Sequence, residues 1–133
     1  MATVQAIDSG VARHIGSYAD ALRIPAGHDL VILSGTPGLL EDGSTPAAFA
    51  EEARRAWVNV RRALTRAGAE LGDIVSVRTW LTSPDDVAAY VEVRNEFITH
   101  RPTYMLAVVP QVVWPSLRLE IEVAAAIPPG RDS

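Results

Sequence analysis

The stretch RPTYMLAVVPQVVWPSLRLEIEVAAAI, residues 101–127, decides the fold because it predicts two strands joined by a proline-bounded loop. In the second strand, apolar residues alternate with Arg118, Glu120, Glu122 and Ala124, which is the period of a half-buried strand. The first strand, 103–109, is apolar on both sides, as in strands that are covered on both faces. If the two strands pair, the two carboxylates border an apolar region, and we expect the functional site there.

The rest of the chain predicts an α+β fold. The segment 30–34 reads as another strand that is apolar on both sides, 74–81 as a strand, and 14–23 as a short first strand. Apolar residues at helical spacing predict one helix from the Thr45-Pro46 cap to Gly68 and a second after Ser83-Pro84. The order β-β-α-β-α-β-β gives a mixed sheet of five or six strands with two helices on one face. The other face then needs a cover, and self-association is the economical one.

Composition limits the class of protein. The 133 residues, 48% of them hydrophobic, predict a single domain, 1–133, with a substantial core. No apolar run approaches the ~18 residues of a membrane span, so we expect no membrane partner. The net charge of −4 argues against nucleic acid as the main partner. The absence of cysteine and of a signal peptide fits a cytoplasmic protein.

Several kinds of site are disfavoured. The three histidines, at 14, 28 and 100, are scattered without a metal-binding spacing, so no metal is expected. The 35–38 segment GTPG lacks the features of a phosphate loop. Arginines at 54, 55, 61, 62 and 66 predict a solvated helix face paired with Glu51 and Glu52. Taken alone, Glu120 and Glu122 are more often a solvated strand face than a catalytic pair.

Five separate elements resemble the Rid family, also known as YjgF/YER057c/UK114. They cover residues 14–127 in the family's order, with similar spacing. The first two elements are IGSY at 15–18, which resembles the family's IGPY, and LVILSG at 30–35, which resembles VFVSGQ. The third is AGAELGDIV at 67–75, which resembles AGxxLDDVV. The last two are RP at 101–102, which resembles the start of RPAR, and EIE at 120–122, which resembles EIEA.

The resemblance implies a chorismate-mutase-like (YjgF) α+β fold and a homotrimer with a cleft at each subunit interface. It also implies cofactor-free hydrolysis of reactive imines or enamines to a keto acid and ammonia. In that pattern an arginine clamps the substrate carboxylate, a backbone amide after the SG element contacts the substrate, and a glutamate positions water. Glu120 is thereby the expected catalytic residue. The residues carried over as substrate-binding are Tyr18, Ser34, Gly35 and Thr36.

The chain departs from the family where the clamping arginine stands. Here the chain reads Arg101-Pro102-Thr103-Tyr104, so Tyr104 stands in the place of the arginine of RPAR. Met105 is the alternative, because the segment from this element to Glu120 is one residue longer than in the family pattern. Neither side chain is cationic, and the nearby loop carries the apolar lid Val112, Val113 and Trp114. We therefore add Tyr104, Met105 and Trp114 to the substrate-binding set and expect a larger or less anionic ligand than a small amino acid imine.

Three functions stay open. The first is an enzyme that hydrolyses or cyclises an imine, enamine or related carbonyl-derived intermediate, for instance in specialised biosynthesis. The second is a non-catalytic ligand-binding or regulatory trimer that lost catalysis with the arginine. The third, an endoribonuclease, is weakest because the chain is acidic and shows no basic aromatic groove.

Overall fold

The structure, a computed structural model, describes residues 3–131, and the outermost residues of the expected domain, 1–2 and 132–133, lie outside it. No helix within residues 3–131 combines the length and the apolar character that crossing a lipid bilayer requires. The helices and strands are β1 Gln5–Ile7, β2 Ala21–Arg23, β3 Asp29–Ile32, α1 Phe49–Arg66, β4 Ile74–Leu81, α2 Val87–Phe97, β5 Thr103–Val108 and β6 Leu119–Ile127.

The strands form a four-stranded mixed sheet in the order β3-β6-β4-β5 and a separate two-stranded hairpin, β1-β2. The predicted α+β fold is confirmed, but the expected single sheet of five or six strands is wrong, because β1 and β2 form a hairpin of their own. The expected pairing of β5 with β6 is wrong, because β4 lies between them, antiparallel to β6 and parallel to β5. The connection from β4 through α2 to β5 is a crossover, and such a crossover brings its two strands side by side in parallel.

The two faces of the four-stranded sheet differ in chemistry. Both helices pack on one face, where Trp57 of α1 and Tyr90 of α2 are buried against Val77 and Ile121. No helix of the described residues, 3–131, covers the opposite face, which we call the open face. Strand alternation and register place on it Leu30, Ile32, Arg78, Trp80, Met105, Glu120 and Glu122.

The two helices begin differently from one another. Before α2, Ser83 caps a short 3₁₀ turn, Pro84–Asp86, by accepting a hydrogen bond from the Asp85 amide at 3.2 Å. This turn leads into α2, whose own N-cap is Asp86 and carries no side-chain hydrogen bond. Helix α1 begins only at Phe49, later than the Thr45-Pro46 signal predicts, and its N-cap has no side-chain hydrogen bond. The Pro46 carbonyl is instead engaged by Arg118 at 2.9 Å, which holds this segment outside the helix.

Glu52 is fully buried, contrary to the expectation that it pairs with arginines on the solvated face of its own helix. Its two carboxylate oxygens accept hydrogen bonds from Arg118, at 2.6 Å from Nε and at 2.8 Å from the backbone amide. Glu51 behaves as expected and pairs with Arg54 at 2.5 Å on the surface. Arg118 therefore turns towards α1 and ties the start of β6 to that helix, instead of sharing the face of Glu120.

Gly38 allows the loop after β3 to pass directly over α1, and its replacement by alanine tests that contact. A Cβ atom on Gly38 would lie 2.2 Å from the carbonyl oxygen of Glu52, so the loop or the helix must shift. We expect Gly38→Ala to lower the free energy of unfolding by about 1–3 kcal/mol, measured by urea denaturation. Gly72→Ala is the control, because nothing lies within 4 Å of its Cβ position. Equal stability of the two variants would contradict the close contact.

Candidate active site on the open face

Glu120 lies in a cleft of about 450 Å³ on the open face. The cleft is formed by β6 and β4, by the segment after β3 and by the loop after β5. Trp80 of β4 is directly opposite Glu120 in the antiparallel register. The lining residues are Gly35, Trp80, Val109, Gln111, Val112, Glu120 and Glu122.

The segment after β3 reaches Glu120 because it continues to pair with β6. The Leu33 amide bonds to the Val123 carbonyl at 3.0 Å, and Thr36 exchanges two backbone hydrogen bonds with Ile121 at 2.7 and 3.0 Å. Gly35 lies between these contacts, where a Cβ atom would be 3.6 Å from Oε1 of Glu120. The missing side chain therefore leaves space beside the carboxylate.

Partial burial raises the pKa of Glu120 above the ordinary value for a glutamate, because desolvation disfavours the charged form. None of the ion pairs described within residues 3–131 involves this carboxylate. Without a cation to stabilise the charged form, Glu120 keeps more of its basicity than a surface glutamate does. A carboxylate with a pKa closer to neutrality is suited to taking a proton from water.

A smaller depression of about 200 Å³ adjoins the cleft and shares Glu122 with it. Arg78 also lines this depression and is the register partner of both Glu122 and Met105. None of the ion pairs described for residues 3–131 includes Arg78, whereas Arg118 is occupied by Glu52. Arg78 is therefore a cation of the open face that is not engaged by these carboxylates. It lies two positions before Trp80 in β4, which is ~7 Å along a strand.

The residues expected to bind substrate are distributed over four places, three of them on the open face or in the loop between β5 and β6. Ser34 and Thr36 flank Gly35 at the cleft, where the Thr36 hydroxyl donates to the Ser34 carbonyl at 3.0 Å. Met105 is on the open face, but it lies beside Arg78 and does not line the cleft. Trp114 is exposed in the loop between β5 and β6 and is also absent from the lining, whereas Val112 of that loop lines the cleft.

Tyr104 and Tyr18 lie together on the side of the sheet that faces the helices. Tyr104 pairs in register with the buried Val77, and its ring is 4.0 Å from the guanidinium carbon of Arg94. The Tyr18 ring meets it edge-on, with centroids 5.8 Å apart. Of the two positions weighed for the family arginine, Met105 thus shares a face with Glu120, and Tyr104 does not.

Sequence reasoning missed two polar or aromatic members of the cleft, Trp80 and Gln111. The alternation in β4 puts Trp80 on the same side as Arg78, but only the register with β6 brings it opposite Glu120. Within residues 3–131 no three His, Asp or Glu side chains are grouped so that they would hold a metal ion.

Residues 11–127 match the family described as Endoribonuclease L-PSP. The RutC family protein YjgH of Escherichia coli K12 is 32% identical to this chain over 113 residues, 84% of this chain and 83% of YjgH. A second E. coli K12 relative, described as "Putative reactive intermediate deaminase TdcF", is 30% identical over 115 residues, 84% of this chain and 87% of TdcF.

Solved structures of the same group share the fold. A Rid-family protein of unknown function from Yersinia pestis superimposes with a TM-score of 0.78 at 19% identity, over 93% of this chain and 98% of that protein. The crystal structure of E. coli TdcF with bound serine gives a TM-score of 0.68 at 28% identity, over 84% of this chain and 88% of TdcF. The arrangement of one mixed sheet and two helices is therefore that of the YjgF fold.

The raised pKa of Glu120 predicts a specific dependence of stability on pH. The pKa of this carboxyl group is higher in the folded protein than in the unfolded chain. Its ionisation therefore lowers the free energy of unfolding, and the full cost is reached at pH values above the folded-state pKa. Glu120→Gln removes this cost, so we expect the variant to unfold at a higher urea concentration than wild type at neutral pH. The difference should disappear as the pH falls below the pKa of the unfolded chain.

The matched control is Glu122→Gln, on the same strand and face. Titration of the side-chain carboxyl carbons by NMR gives the second measurement and should show Glu120 ionising above an ordinary glutamate. A pKa at or below the ordinary value would contradict the desolvated cleft.

Proposed function

This chain belongs to the Rid (YjgF, endoribonuclease L-PSP) family, and we propose that it hydrolyses an imine or enamine derived from a small carbonyl compound. The proposal rests on one observation: Glu120, a carboxylate with a raised pKa that takes part in none of the ion pairs described for residues 3–131, faces an accessible cleft beside Gly35. The relative TdcF, described as a "putative reactive intermediate deaminase", supports the same class of reaction.

The reaction needs positioning more than a strong base. Glu120 accepts a proton from the water molecule that adds to the carbon of the protonated imine, which gives a neutral carbinolamine. The protonated Glu120 then returns this proton to the amino nitrogen, the hydroxyl proton passes to solvent water and the carbon–nitrogen bond breaks, so that ammonia and a carbonyl product leave and Glu120 is again a carboxylate. Orientation of water and substrate in one cleft accounts for much of the rate gain in such reactions, and no electrons leave or enter.

Arg78 is the group of the open face best placed to hold an anionic part of the substrate. A guanidinium binds a carboxylate through two parallel hydrogen bonds. Arg78 of β4 is the register partner of Met105, one of the two positions considered for the family's arginine. Its long cationic side chain can therefore bind a carboxylate in the region where Met105, which has no charge, cannot. The cleft at Glu120 and the depression at Arg78 together hold a molecule larger than a three-carbon imine.

The active assembly in this proposal is a homotrimer formed through the open face. Leu30 and Ile32 on this face are 62% and 72% exposed, and Met105 is 38% exposed. Apolar side chains grouped on one face favour burial against another protein surface. Burial by neighbouring copies would close the cleft at its open side and exclude bulk water from Glu120.

Replacing Glu120 by Gln tests the catalytic role directly. The amide keeps the shape of the side chain but cannot take a proton, so we expect turnover to fall about 10²–10⁴-fold. The measurement is the loss of a panel of 2-imino acids of increasing side-chain size, formed in situ by an amino acid oxidase and followed against spontaneous hydrolysis. Glu92→Gln is the control and should retain full activity, because Glu92 is exposed on α2 and lines neither the cleft nor the depression.

Full activity in Glu120→Gln would remove this residue from the mechanism. If wild type binds imine analogues such as 2-oxo acids in calorimetry but accelerates no member of the panel, the non-catalytic ligand-binding trimer replaces the enzyme. Loss of folding in Glu120→Gln, seen by circular dichroism, would assign Glu120 a structural role.

The trimer predicts a mass of about three times the 14.3 kDa chain in light scattering coupled to gel filtration. Ile32→Asp places a charge in the centre of the proposed interface and should give monomers. Ile15→Asp is the control, because Ile15 is 70% exposed and lies outside the four-stranded sheet. A monomeric wild type would overturn the proposed assembly, and an intact trimer of Ile32→Asp would move the interface away from the open face.

A further inference from the structure

A second cavity, of about 460 Å³, lies at the other end of the four-stranded sheet. It is bounded by the end of β6 at Ala126 and Pro128 and by the start of β4 at Ile74 and Val75. Six residues of β6 separate Ala126 from Glu120, which is about 20 Å along a strand. The cavity is therefore distinct from the cleft on the open face.

The hairpin β1-β2 forms the opposite wall of this cavity. Val4, Ala6 and Leu22 of the hairpin region face the sheet residues Ile74 and Val75 across the space. Apolar atoms dominate these walls. The volume lies within the ~300–1,000 Å³ that is typical of small-molecule sites, so the cavity has the size and lining to take the apolar body of a small ligand.

Two histidines line the same cavity, and each has one ring nitrogen engaged by a backbone carbonyl. His100 Nε2 lies 2.8 Å from the Ile74 carbonyl oxygen, and His28 Nδ1 lies 2.9 Å from that of Pro25. A carbonyl oxygen only accepts, so these nitrogens carry the hydrogens. The contacts fix the orientation of both rings at the wall.

Arg101 brings a positive charge to the cavity. Its Nη2 donates to the Tyr18 carbonyl at 3.0 Å, and none of the ion pairs described within residues 3–131 includes it. Among the described lining residues the one carboxylate is Asp73, which is already bonded by Arg131 and by the Glu70 amide, the latter at 2.8 Å. The balance of charge at this cavity therefore favours an anion.

We propose that this cavity binds a small apolar carboxylic acid, with its hydrocarbon part between the hairpin and the sheet and its carboxylate at Arg101. Charge complementarity selects an acid over an amine, and the apolar walls select it over a sugar or a phosphate. The inference is independent of the proposed hydrolase activity, because no residue of the Glu120 cleft lines this cavity.

The test compares 4-phenylbutyrate with 4-phenyl-1-butanol, which shares its hydrocarbon body but has no charge. Isothermal titration calorimetry on the full chain should show saturable binding of the acid, with the alcohol about fivefold weaker, as for a solvent-accessible ion pair. Arg101→Gln should remove that difference between the two probes. Arg23→Gln is the control, since Arg23 is an exposed hairpin arginine outside the lining and should leave both affinities unchanged.

Leu22→Trp tests the location by filling the cavity from the hairpin side. It should abolish binding of both probes while the circular dichroism spectrum and the mass in light scattering stay as in wild type. If that variant fails to fold, Val4→Trp fills the same space from the residue just before β1. Absence of saturable binding to wild type, an unchanged preference for the acid in Arg101→Gln, or undiminished binding in a folded filled variant would each overturn the proposal.

Discussion

The ion pair between the fully buried carboxylate of Glu52 and the partly exposed side chain of Arg118 is the constraint on which the rest of the structure depends. It joins the first turn of α1 to the residue just before β6, through both a side-chain and a backbone hydrogen bond. Removing one partner of such a pair leaves a charge without compensation in the interior, which is strongly destabilising. Because Arg118 also holds the Pro46 carbonyl, the pair fixes where α1 begins and where β6 enters the sheet.

The position of Glu120 follows from that constraint. Arg118 is turned towards α1, and the strand alternation begins at the next residue, Leu119, which is buried on the helix side. Glu120 therefore lies on the opposite face. The loop after β3 passes over α1 at Gly38, in contact with Glu52, and the segment just before it pairs with β6 and carries Gly35 to the carboxylate. One buried carboxylate thus organises both the entry of the central strand and the approach of the loop to the candidate site.

The two faces of the sheet have different roles: the residues under the helices form the core, and the candidate site lies on the open face. The face under the helices holds the fully buried side chains, including Trp57 and Ile121, and there the Tyr104 ring packs against Arg94. The open face combines exposed apolar residues with Glu120 and Arg78, neither of which forms an ion pair in the described part of the chain. A tyrosine at a position weighed for the family's arginine therefore contributes to packing, while the cation of the open face comes from the neighbouring strand.

The sequence by itself determined the local structure, the family and the face on which Glu120 lies. Period-two alternation in β6, helical spacing in α1 and the Ser83 cap are local signals, and each depends on residues a few positions apart. Only the tertiary structure decided that β5 lies beside β4 and not β6, that Trp80 stands opposite Glu120, and that Glu52 is buried while Glu51 is exposed. These outcomes depend on which distant segments pair and in what register, and the periodicity of one segment carries no information about its partner.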